Sequence, residues 1–357
     1  MNGSTTTGDA RDRAVTRFDS APVALDAYVS AGAIHAEDVA AAELLVGIAR
    51  REAPTLAPDL LAWLAMCLAL RSPRDGHTCV DLGSIGDWRG SIDVVTGGHP
   101  EWPLDAAPWK AALHSAGPLV GRAGDRTPFV LDGERLYLAR SLHQEQAIAA
   151  RIGRSGAGEV RVLLGGPGTG KTTQVAGLLA RELRERPESR IVLAAPTGKA
   201  AARMAEALRS RLRDENAPPE VRALPAETRE AIGSLRPLTV HKLLGYSPAG
   251  ERRYRFGPEN RLACDLVVVD EASMLSSSLM HRLLEALGDD TRLHLVGDPS
   301  QLASVEAGSV LGDLARAAGR PGSSLEARTM VLRKRHRFGR RIGALADSIL
   351  AGDDAGI

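Results

Sequence analysis

The stretch "VRVLLGGPGTGKT", residues 160–172, joins an apolar run to a glycine-rich turn that ends in Lys-Thr. The apolar run predicts a buried strand, and the helical spacing that follows to about residue 186 predicts a helix. Between them, Gly165 to Thr172 fit the pattern G-x-x-x-x-G-K-[ST]. In that context backbone N–H groups curl around a phosphate at a helix N-terminus, whose dipole adds attraction. A glycine-rich turn without a ligand is the alternative, and the flanking strand and helix favour the phosphate site.

This loop gives the first set of candidate site residues. Lys171 would reach the outer phosphates of a nucleotide, and Thr172 would ligate Mg²⁺. The residues expected to surround the phosphates are Gly165, Gly166, Pro167, Gly168, Thr169, Gly170, Lys171, Thr172 and Thr173.

A second apolar run, "LVVVDEAS" at residues 266–273, ends in two acids. The first, Asp270, would hold Mg²⁺ together with Thr172, and the second, Glu271, would polarise an attacking water. Two acids at a strand end can equally cap a helix, but the neighbouring phosphate loop favours the catalytic interpretation. We therefore predict Lys171, Asp270 and Glu271 as catalytic residues, with ATP and Mg²⁺ as cofactors.

The rest of the chain predicts an α/β fold. The apolar runs "VRVLLGG", "RIVLAAP", "DLVVVDE" and "RLHLVGD" alternate with helical segments, which is typical of a P-loop NTPase whose parallel sheet carries helices on both faces. Residues 20–70 read as packed helices, and "TPFVLDGERLYLA" at 127–139 reads as a hairpin around Asp132-Gly133. The predicted domains are a disordered tail over 1–18, a mainly helical domain over 19–125, an ATPase domain over 126–330 and the start of a further domain over 331–357.

Composition limits what these motifs can mean. The 357 residues are 44% hydrophobic and 25% charged, which is globular composition. The net charge of +1 means that any nucleic-acid surface must be local. The three cysteines form no CxxC pair, which argues against a disulfide framework or a zinc site. The apolar stretch 60–70 is too short to cross a bilayer and the N-terminus lacks a secretory signal, so we expect no membrane partner and a cytoplasmic location.

The order of the motifs over residues 127–345 resembles that of the superfamily 1 DNA helicases. The resemblance is closest to the RecD family, the alpha subunits of exodeoxyribonuclease V complexes of the RecBCD type. Besides the phosphate loop and the acids, the motifs that carry it are "LHQEQAI" (142–148), "APTGKAAARM" (195–204), "LTVHKLLGY" (238–246), "VGDPSQL" (296–302) and "VLRKRHRFG" (331–339). The family implies two RecA-like domains with ATP in the cleft between them.

The resemblance assigns further residues to the nucleotide. Gln146 matches the glutamine that reads adenine, and Gln301 matches the amide that senses the γ-phosphate. Arg337 matches an arginine finger of the second domain. His336 replaces the family's aromatic residue there, which leaves Arg335 as the alternative arginine. A solvated turn at Gln301 and a basic surface over 333–337 remain the structural alternatives.

Single-stranded DNA is the second implied ligand. Thr197 and Lys199 match positions that grip backbone phosphates, and Thr239 and His241 match the next DNA-contacting motif. The insert over 245–262 matches a small strand-guiding hairpin, where Tyr254 and Phe256 lie among arginines and suit stacking on bases. Two alternatives to DNA contact remain open. His241 could have a purely structural role, and the insert could be an ordinary hairpin at the edge of the sheet.

The function implied by the resemblance is ATP-driven 5′→3′ translocation on single-stranded DNA and unwinding from duplex ends. It would act with RecB-like and RecC-like subunits in double-strand-break repair and recombination, and the N-terminal domain would dock on the gamma subunit. The sequence ends about twenty residues after the last motif, so we expect a chain that lacks most of the second motor domain.

Three alternatives follow from the same residues. The first is a stand-alone RecD-like helicase. The second is a catalytically incomplete nucleotide-binding interaction module. The third, a P-loop kinase or transporter ATPase, is disfavoured because neither needs both "APTGKAAARM" and "GDPSQL" in this order.

Overall fold

A computed structural model of the chain describes residues 21–86, 102–248, 253–301 and 306–333. The chain divides into two compact units, Met1–Leu142 and His143–Ile357, and each has its own hydrophobic core. The tail predicted over 1–18 lies outside the described residues, as does the C-terminal segment 334–357.

The first unit is built around one fully apolar helix. Its eight consecutive residues from Ala62 to Ala69 are all buried, because neighbours cover this helix on every side. Trp63 and Trp109, at 1% and 0% exposed, are the largest side chains of this core that are almost completely buried. The helices of this unit are α1 (Leu25–Ser30), α2 (Ala36–Ala49), α3 (Leu60–Arg71) and α4 (Ala106–Leu113). The mainly helical character predicted for this region is confirmed.

A small sheet completes the first unit. Its strands are β1 (Cys79–Asp81), β2 (Val120–Gly121), β3 (Phe129–Asp132) and β4 (Arg135–Leu138), in the order β1-β4-β3-β2. The hairpin β3-β4 was predicted, but its turn is shifted by one residue. Asp132 pairs with Arg135, so the two turn residues are Gly133 and Glu134. Gly133 has φ +63°, which fits a tight turn with glycine at its first central position.

The hairpin also corrects the predicted domain boundary. It was expected to open the second domain at residue 126, but β4 pairs with β1 and β3 pairs with β2, which places both strands in the first unit. The division falls between Leu142 and His143. Strands β1 and β4 are more than fifty residues apart in the sequence, so the local sequence pattern could not show that they pair.

The described part of the second unit forms a six-stranded sheet in which every pairing is parallel. The strand order is β10-β5-β9-β8-β6-β7. The strands are β5 (Val160–Gly165), β6 (Ile191–Ala195), β7 (Leu238–Thr239), β8 (Leu266–Val269), β9 (Arg292–Gly297) and β10 (Thr329–Leu332). The helices are α5 (Ala139–Gly153), which begins in the first unit, α6 (Lys171–Glu185), α7 (Gly198–Arg213), α8 (Pro219–Arg222), α9 (Ala226–Ser234), α10 (Val240–Leu243), α11 (Ser277–Ala286) and α12 (Val310–Ala318).

Helices cover both faces of this sheet. Strand β8 shows it most directly, because Val267 and Val269 belong to the core shared with α5, α11 and α12, whereas Leu266 and Val268 belong to the core shared with α6, α7 and α9. A strand buried on both faces reads as a continuous apolar run, which is the pattern seen in the sequence. The predicted α/β fold with a doubly covered parallel sheet is confirmed.

Strand β10 corrects the second predicted boundary. Residues from 331 onward were assigned to a further domain, but Val331 and Leu332 pair in parallel with Leu164 and Gly165 of β5. They therefore belong to the edge strand of the six-stranded sheet of the second unit. Because an edge strand is covered less completely than a central one, Met330 and Val331 remain 51% and 53% exposed.

The described residues also bear on the membrane prediction and on cysteine pairing. No helix among them combines the length and the apolar character that crossing a bilayer requires. Within the described ranges, no disulfide joins Cys67, Cys79 and Cys264.

Candidate functional site

The phosphate loop connects β5 to α6. Gly168 and Gly170 have φ values of +75° and +92°, a left-handed backbone that glycine adopts without steric cost. The Thr169 hydroxyl donates to the Gly166 carbonyl at 2.8 Å, which closes the turn. Lys171 Nζ donates to the carbonyls of Gly165 at 2.6 Å and Gly166 at 3.3 Å. The loop therefore holds its cation at the first turn of α6, beside the free backbone N–H groups of the helix start.

Replacing Gly170 with alanine tests this backbone. The left-handed conformation costs an L-residue about 1–2 kcal/mol, so we expect Gly170→Ala to lower the free energy of unfolding by that amount. Gly198 is the matched control, because it also begins a helix after a strand and an added Cβ meets nothing within 4 Å. Gly198→Ala should leave stability unchanged or raise it by up to about 1 kcal/mol. Urea denaturation of both variants measures the difference, and equal losses would contradict the strained turn.

The two acids follow strand β8. The backbone N–H of Glu271 donates to Asp270 Oδ1 at 2.9 Å. Burial raises the pKa of Asp270, the charge of Glu271 raises it further, and Lys171 acts in the opposite direction. A cation bound at Asp270 would offset the cost of burying this carboxylate.

Glu271 has an unusual conformation. It is the one non-glycine residue with positive φ in the described part of the chain, at φ +52° and ψ +38°. Its Oε2 atom is buried without a hydrogen-bond partner among the described residues. Strained backbone and unsatisfied buried polar atoms concentrate at functional sites. A water beside Glu271 would satisfy Oε2, which fits the role predicted for this acid.

The loop after β9 presents an amide beside a buried acid. Asp298 is 2% exposed and accepts hydrogen bonds from Ser300 N at 3.0 Å and Ser300 Oγ at 2.6 Å. Gln301 Nε2 donates to the other oxygen of Asp298 at 3.3 Å. Asp298 thus holds the turn in place and orients Gln301, a positioning role that the sequence did not assign to it.

These groups line one cavity of about 1030 Å³. Phosphate-loop residues, the two acids and Gln301 meet there with the start of α7. The predicted site residues in its lining are Gly166, Pro167, Gly168, Thr169, Gly170, Lys171, Thr172, Thr173, Thr197, Lys199, Asp270, Glu271 and Gln301. Thr172 and Asp270, the predicted magnesium ligands, are among them. The chemistry of this set, a hydroxyl and a carboxylate beside a lysine and backbone N–H groups, fits a Mg²⁺-bound phosphate chain.

Other predicted nucleotide residues lie apart or outside the described chain. Gly165 ends β5 directly behind the loop. Gln146 is exposed on α5 and is not part of the cavity lining. Arg337 and the alternative Arg335 fall in the segment 334–357, outside the described residues.

The start of α7 contributes cations to the same cavity. Thr197 is the N-cap of α7, and its hydroxyl oxygen accepts from Ala200 N at 3.2 Å. Lys199 and Arg203 both line the cavity and are exposed. The sequence analysis did not predict Arg203 as a site residue, although its position four residues after Lys199 places it on the same helix face.

The second motif predicted to contact DNA contributes to an aromatic cluster. Thr239 caps α10 by accepting from Lys242 N at 3.2 Å. The His241 ring lies 5.4 Å from Tyr246 and 6.5 Å from Tyr254, and Tyr246 lies 5.1 Å from Tyr254. The Arg282 guanidinium lies 5.9 Å from the centre of the Tyr254 ring. We call His241, Tyr246, Tyr254 and Arg282 the aromatic cluster.

The hairpin predicted over 245–262 lies partly outside the described residues, because 249–252 are not described, and it stays a prediction. On either side of that gap, Ser247 N donates to the Arg253 carbonyl at 2.9 Å, and Gly257 forms an antiparallel bridge with Asn260. Arg255 and Phe256 donate their backbone N–H groups to Leu244, which folds the segment back onto the end of α10. Tyr254 and Phe256 are partly buried against the core, whereas Tyr246 is 42% exposed. Tyr246, which ends the motif "LTVHKLLGY", is therefore the more accessible aromatic ring, and the sequence analysis missed it.

A three-residue metal centre is not part of this site. The described residues contain no group of three or more His, Cys, Asp or Glu side chains arranged to hold a metal ion. A magnesium ion at Thr172 and Asp270 is compatible with this, because Mg²⁺ usually takes one or two protein ligands together with substrate phosphates and waters.

The doubly covered parallel sheet with its phosphate loop and paired acids defines a P-loop NTPase. Residues 144–307 match the family described as AAA domain, and residues 30–137 match the family described as RecBCD enzyme subunit RecD, N-terminal domain. The chain belongs to the RecD family, so the resemblance seen in the motifs is confirmed.

Individual relatives agree with this assignment. RecBCD enzyme subunit RecD of Mycobacterium tuberculosis (strain H37Rv) is 40% identical over 362 residues, covering 92% of this chain and 58% of the relative. The protein of the same name from Mycolicibacterium smegmatis is 41% identical over 333 residues, covering 83% and 55%. ATP-dependent RecD2 DNA helicase of Deinococcus radiodurans is 38% identical over 157 residues, covering 44% and 18%. The chain thus spans just over half the length of its mycobacterial relatives.

Proposed function

We propose that this chain binds and hydrolyses ATP with Mg²⁺ and couples hydrolysis to 5′→3′ movement along single-stranded DNA. It would act as the helicase subunit of a RecBCD-type exodeoxyribonuclease V, with RecB-like and RecC-like subunits, in double-strand-break repair and recombination. The observation that carries the proposal is the single cavity in which Lys171, Asp270, Glu271 and Gln301 meet the α7 residues predicted to hold DNA.

We assign a separate role in ATP hydrolysis to each group of residues in the cavity. Lys171 and the loop N–H groups would bind and orient the phosphates, and Thr172 and Asp270 would hold Mg²⁺, which neutralises charge on the transferred phosphoryl group. Glu271, with its free buried oxygen, would orient the attacking water and accept its proton. Gln301, oriented by Asp298, would contact the terminal phosphate, which ADP lacks. That contact would differ between the two nucleotide states, as a motor requires.

DNA-dependent hydrolysis is the decisive experiment. Steady-state hydrolysis of ATP should rise when a single-stranded oligonucleotide is added, and co-purification with RecB-like and RecC-like subunits should follow from the N-terminal family match. Hydrolysis that is unaffected by DNA would favour another class of P-loop enzyme. Absence of any hydrolysis, with nucleotide binding retained, would favour the interaction-module alternative.

Lys199 gives a specific prediction for the DNA contact. If Lys199 pairs with a backbone phosphate, Lys199→Ala should weaken oligonucleotide binding and lower the slope of log affinity against log salt by about 0.7. Arg209→Ala on the same helix is the control, because Arg209 does not line the cavity and its Nε atom donates to the Ala205 carbonyl. Fluorescence anisotropy at several salt concentrations provides the measurement. A slope equal to that of the unmodified chain would remove Lys199 from the strand-binding surface.

A stand-alone RecD-like helicase is the second candidate. The match to RecD2 DNA helicase supports it, although that match covers less than half of the chain. The match of residues 30–137 to the N-terminal domain of the RecBCD subunit favours the complex. Unwinding by the purified chain without partner subunits would reverse this preference. A cytoplasmic location is part of the proposal and stays a prediction.

A further inference from the structure

A second cavity, of about 360 Å³, lies between helix α6 and the edge strand β10. Residues from strands β5, β8 and β9 also line it. Its size is at the lower end of the range of about 300–1,000 Å³ that is usual for pockets that bind small molecules. None of the predicted site residues that the structure describes lines it, so the proposed ATP and DNA contacts leave this cavity without a role. We call it the α6–β10 cavity.

The walls of the α6–β10 cavity are mainly apolar. Leu163 of β5, Val296 of β9 and Leu178 of α6 belong to the hydrophobic core on this face of the sheet. Met330 of β10 lines the cavity beside them and is 51% exposed. A polar group placed against these walls would find no hydrogen-bond partner, which is costly. The main body of a ligand in this cavity must therefore be apolar.

The charged side chains around the cavity all have the same sign. Among the described residues, Arg161, Arg181 and Arg328 line it, and no Asp or Glu side chain does. Arg161 forms an ion pair with Glu159, and Arg328 donates to two backbone carbonyls at the end of α5. Arg181 is exposed and has no hydrogen-bond or ion-pair partner in the part of the chain that the structure describes. Its guanidinium is therefore available to an anion.

Two neutral polar groups also line the cavity. The Thr329 hydroxyl oxygen is buried and has no hydrogen-bond partner among the described residues. Burial, together with the charge of Arg161, lowers the pKa of His294 to about 4, so its imidazole is neutral at pH 7. A buried hydroxyl without a partner is costly, and a ligand that accepts its hydrogen bond would remove this cost.

A larger neighbouring cavity, of about 1230 Å³, differs in its charges. It shares Arg181 and His294 with the α6–β10 cavity, but acids that include Glu182 and Glu185 also line it. A lining with both signs of charge favours neither anions nor cations. The preference for an anion is therefore specific to the α6–β10 cavity.

We propose that the α6–β10 cavity binds a small organic anion that carries one carboxylate on an apolar body. The apolar body lies against Leu163, Leu178 and Val296. The carboxylate accepts hydrogen bonds from the Arg181 guanidinium, whose planar shape suits a carboxylate, and from the Thr329 hydroxyl. This inference goes beyond the proposed function, because it requires neither ATP nor DNA.

Equilibrium dialysis of the full chain against 2-naphthoate tests the site in the absence of nucleotide and DNA. 2-Naphthamide is the matched probe, because it keeps the apolar body and removes the charge. We expect 2-naphthoate to bind at a single site and 2-naphthamide to bind about tenfold more weakly, the usual effect of losing one charge-assisted hydrogen bond. Decanoate carries the same charge on a flexible chain, and saturable binding of either acid supports the proposal.

Variants locate the site. Arg181→Gln removes the unpaired guanidinium from an exposed position and should weaken 2-naphthoate binding about tenfold. Arg184→Gln is the matched control, because Arg184 is exposed on the same helix and does not line the cavity, so binding should be unchanged. Thr329→Val removes the hydroxyl with little change in shape and should weaken binding about fivefold. The melting temperature of this variant without ligand should not fall, because the lost hydroxyl had no partner.

Four results would overturn the proposal. They are the absence of saturable binding of both acids, equal binding of 2-naphthoate and 2-naphthamide, equal losses in Arg181→Gln and Arg184→Gln, and displacement of 2-naphthoate by an equal concentration of inorganic phosphate. The third would reflect net charge alone, and the fourth would show that binding needs no apolar body. None of them affects the proposed ATP hydrolysis, which is measured without these acids.

Discussion

Replacing Lys171 with alanine is expected to lower kcat for ATP hydrolysis by about 10²–10³-fold, the usual effect of removing one preorganised electrostatic donor from a site where charge develops. The Lys171 ammonium is held at the loop by the carbonyls of Gly165 and Gly166, so the cation is in place before the phosphates bind. Its loss should also weaken nucleotide binding, because no other lysine belongs to the loop. Steady-state hydrolysis and equilibrium binding of a fluorescent nucleotide measure the two effects.

Lys110→Ala is the control for this change. Lys110 lies in the last turn of α4 in the first unit, and the same substitution there should leave hydrolysis unchanged. Equal rates for the Lys171→Ala variant and the unmodified chain would show that hydrolysis occurs elsewhere.

Glu271→Gln should separate binding from chemistry. The amide keeps the size of the side chain but loses the ability to accept a proton, and general-base catalysis contributes about 10²–10⁴-fold. We therefore expect kcat to fall by that factor while nucleotide affinity changes little, because Asp270, Thr172 and Lys171 remain. Single-turnover hydrolysis, compared with nucleotide binding, checks both parts.

The matched control for Glu271 is Glu188→Gln. Glu188 is exposed in the loop between α6 and β6 and does not line the cavity. Its substitution should leave both hydrolysis and nucleotide binding unchanged. A Glu271→Gln variant that hydrolyses ATP at the unmodified rate would assign the proton acceptor to another residue.

The sequence predicted the centre of the second unit well because its signals are local. The phosphate loop needs a strand, a glycine turn and a helix in direct succession, and β8 reads as buried on both faces from "LVVV" alone. The residues Asp270 and Glu271 follow from the same run. These features depend on neighbouring residues, so the pattern was sufficient to place them.

The wrong predictions concern features that depend on contacts between residues far apart in the sequence. Thr329–Leu332 reads as a strand, but only its pairing with β5 shows that it belongs to the six-stranded sheet of the second unit. The hairpin β3-β4 belongs to the first unit because of β1, which lies far back in the chain. The left-handed backbone of Glu271 and the bond from Ser276 to Glu306 leave no local signal, since acids and serines are common in turns.

The strand order of the second unit has a consequence for how the protein folds. The phosphate-loop strand β5 has β9 and β10 as its sheet neighbours, and both come from much later in the chain than the loop itself. A chain emerging from the ribosome therefore makes its glycine loop early but lacks the flanking strand β9 until residue 297 and the flanking strand β10 until residue 332. Pairings over such long sequence separations also slow folding, because loop-closure entropy is lost before the contacts form. The capacity to hold a nucleotide should consequently appear late during synthesis, after the first unit is complete.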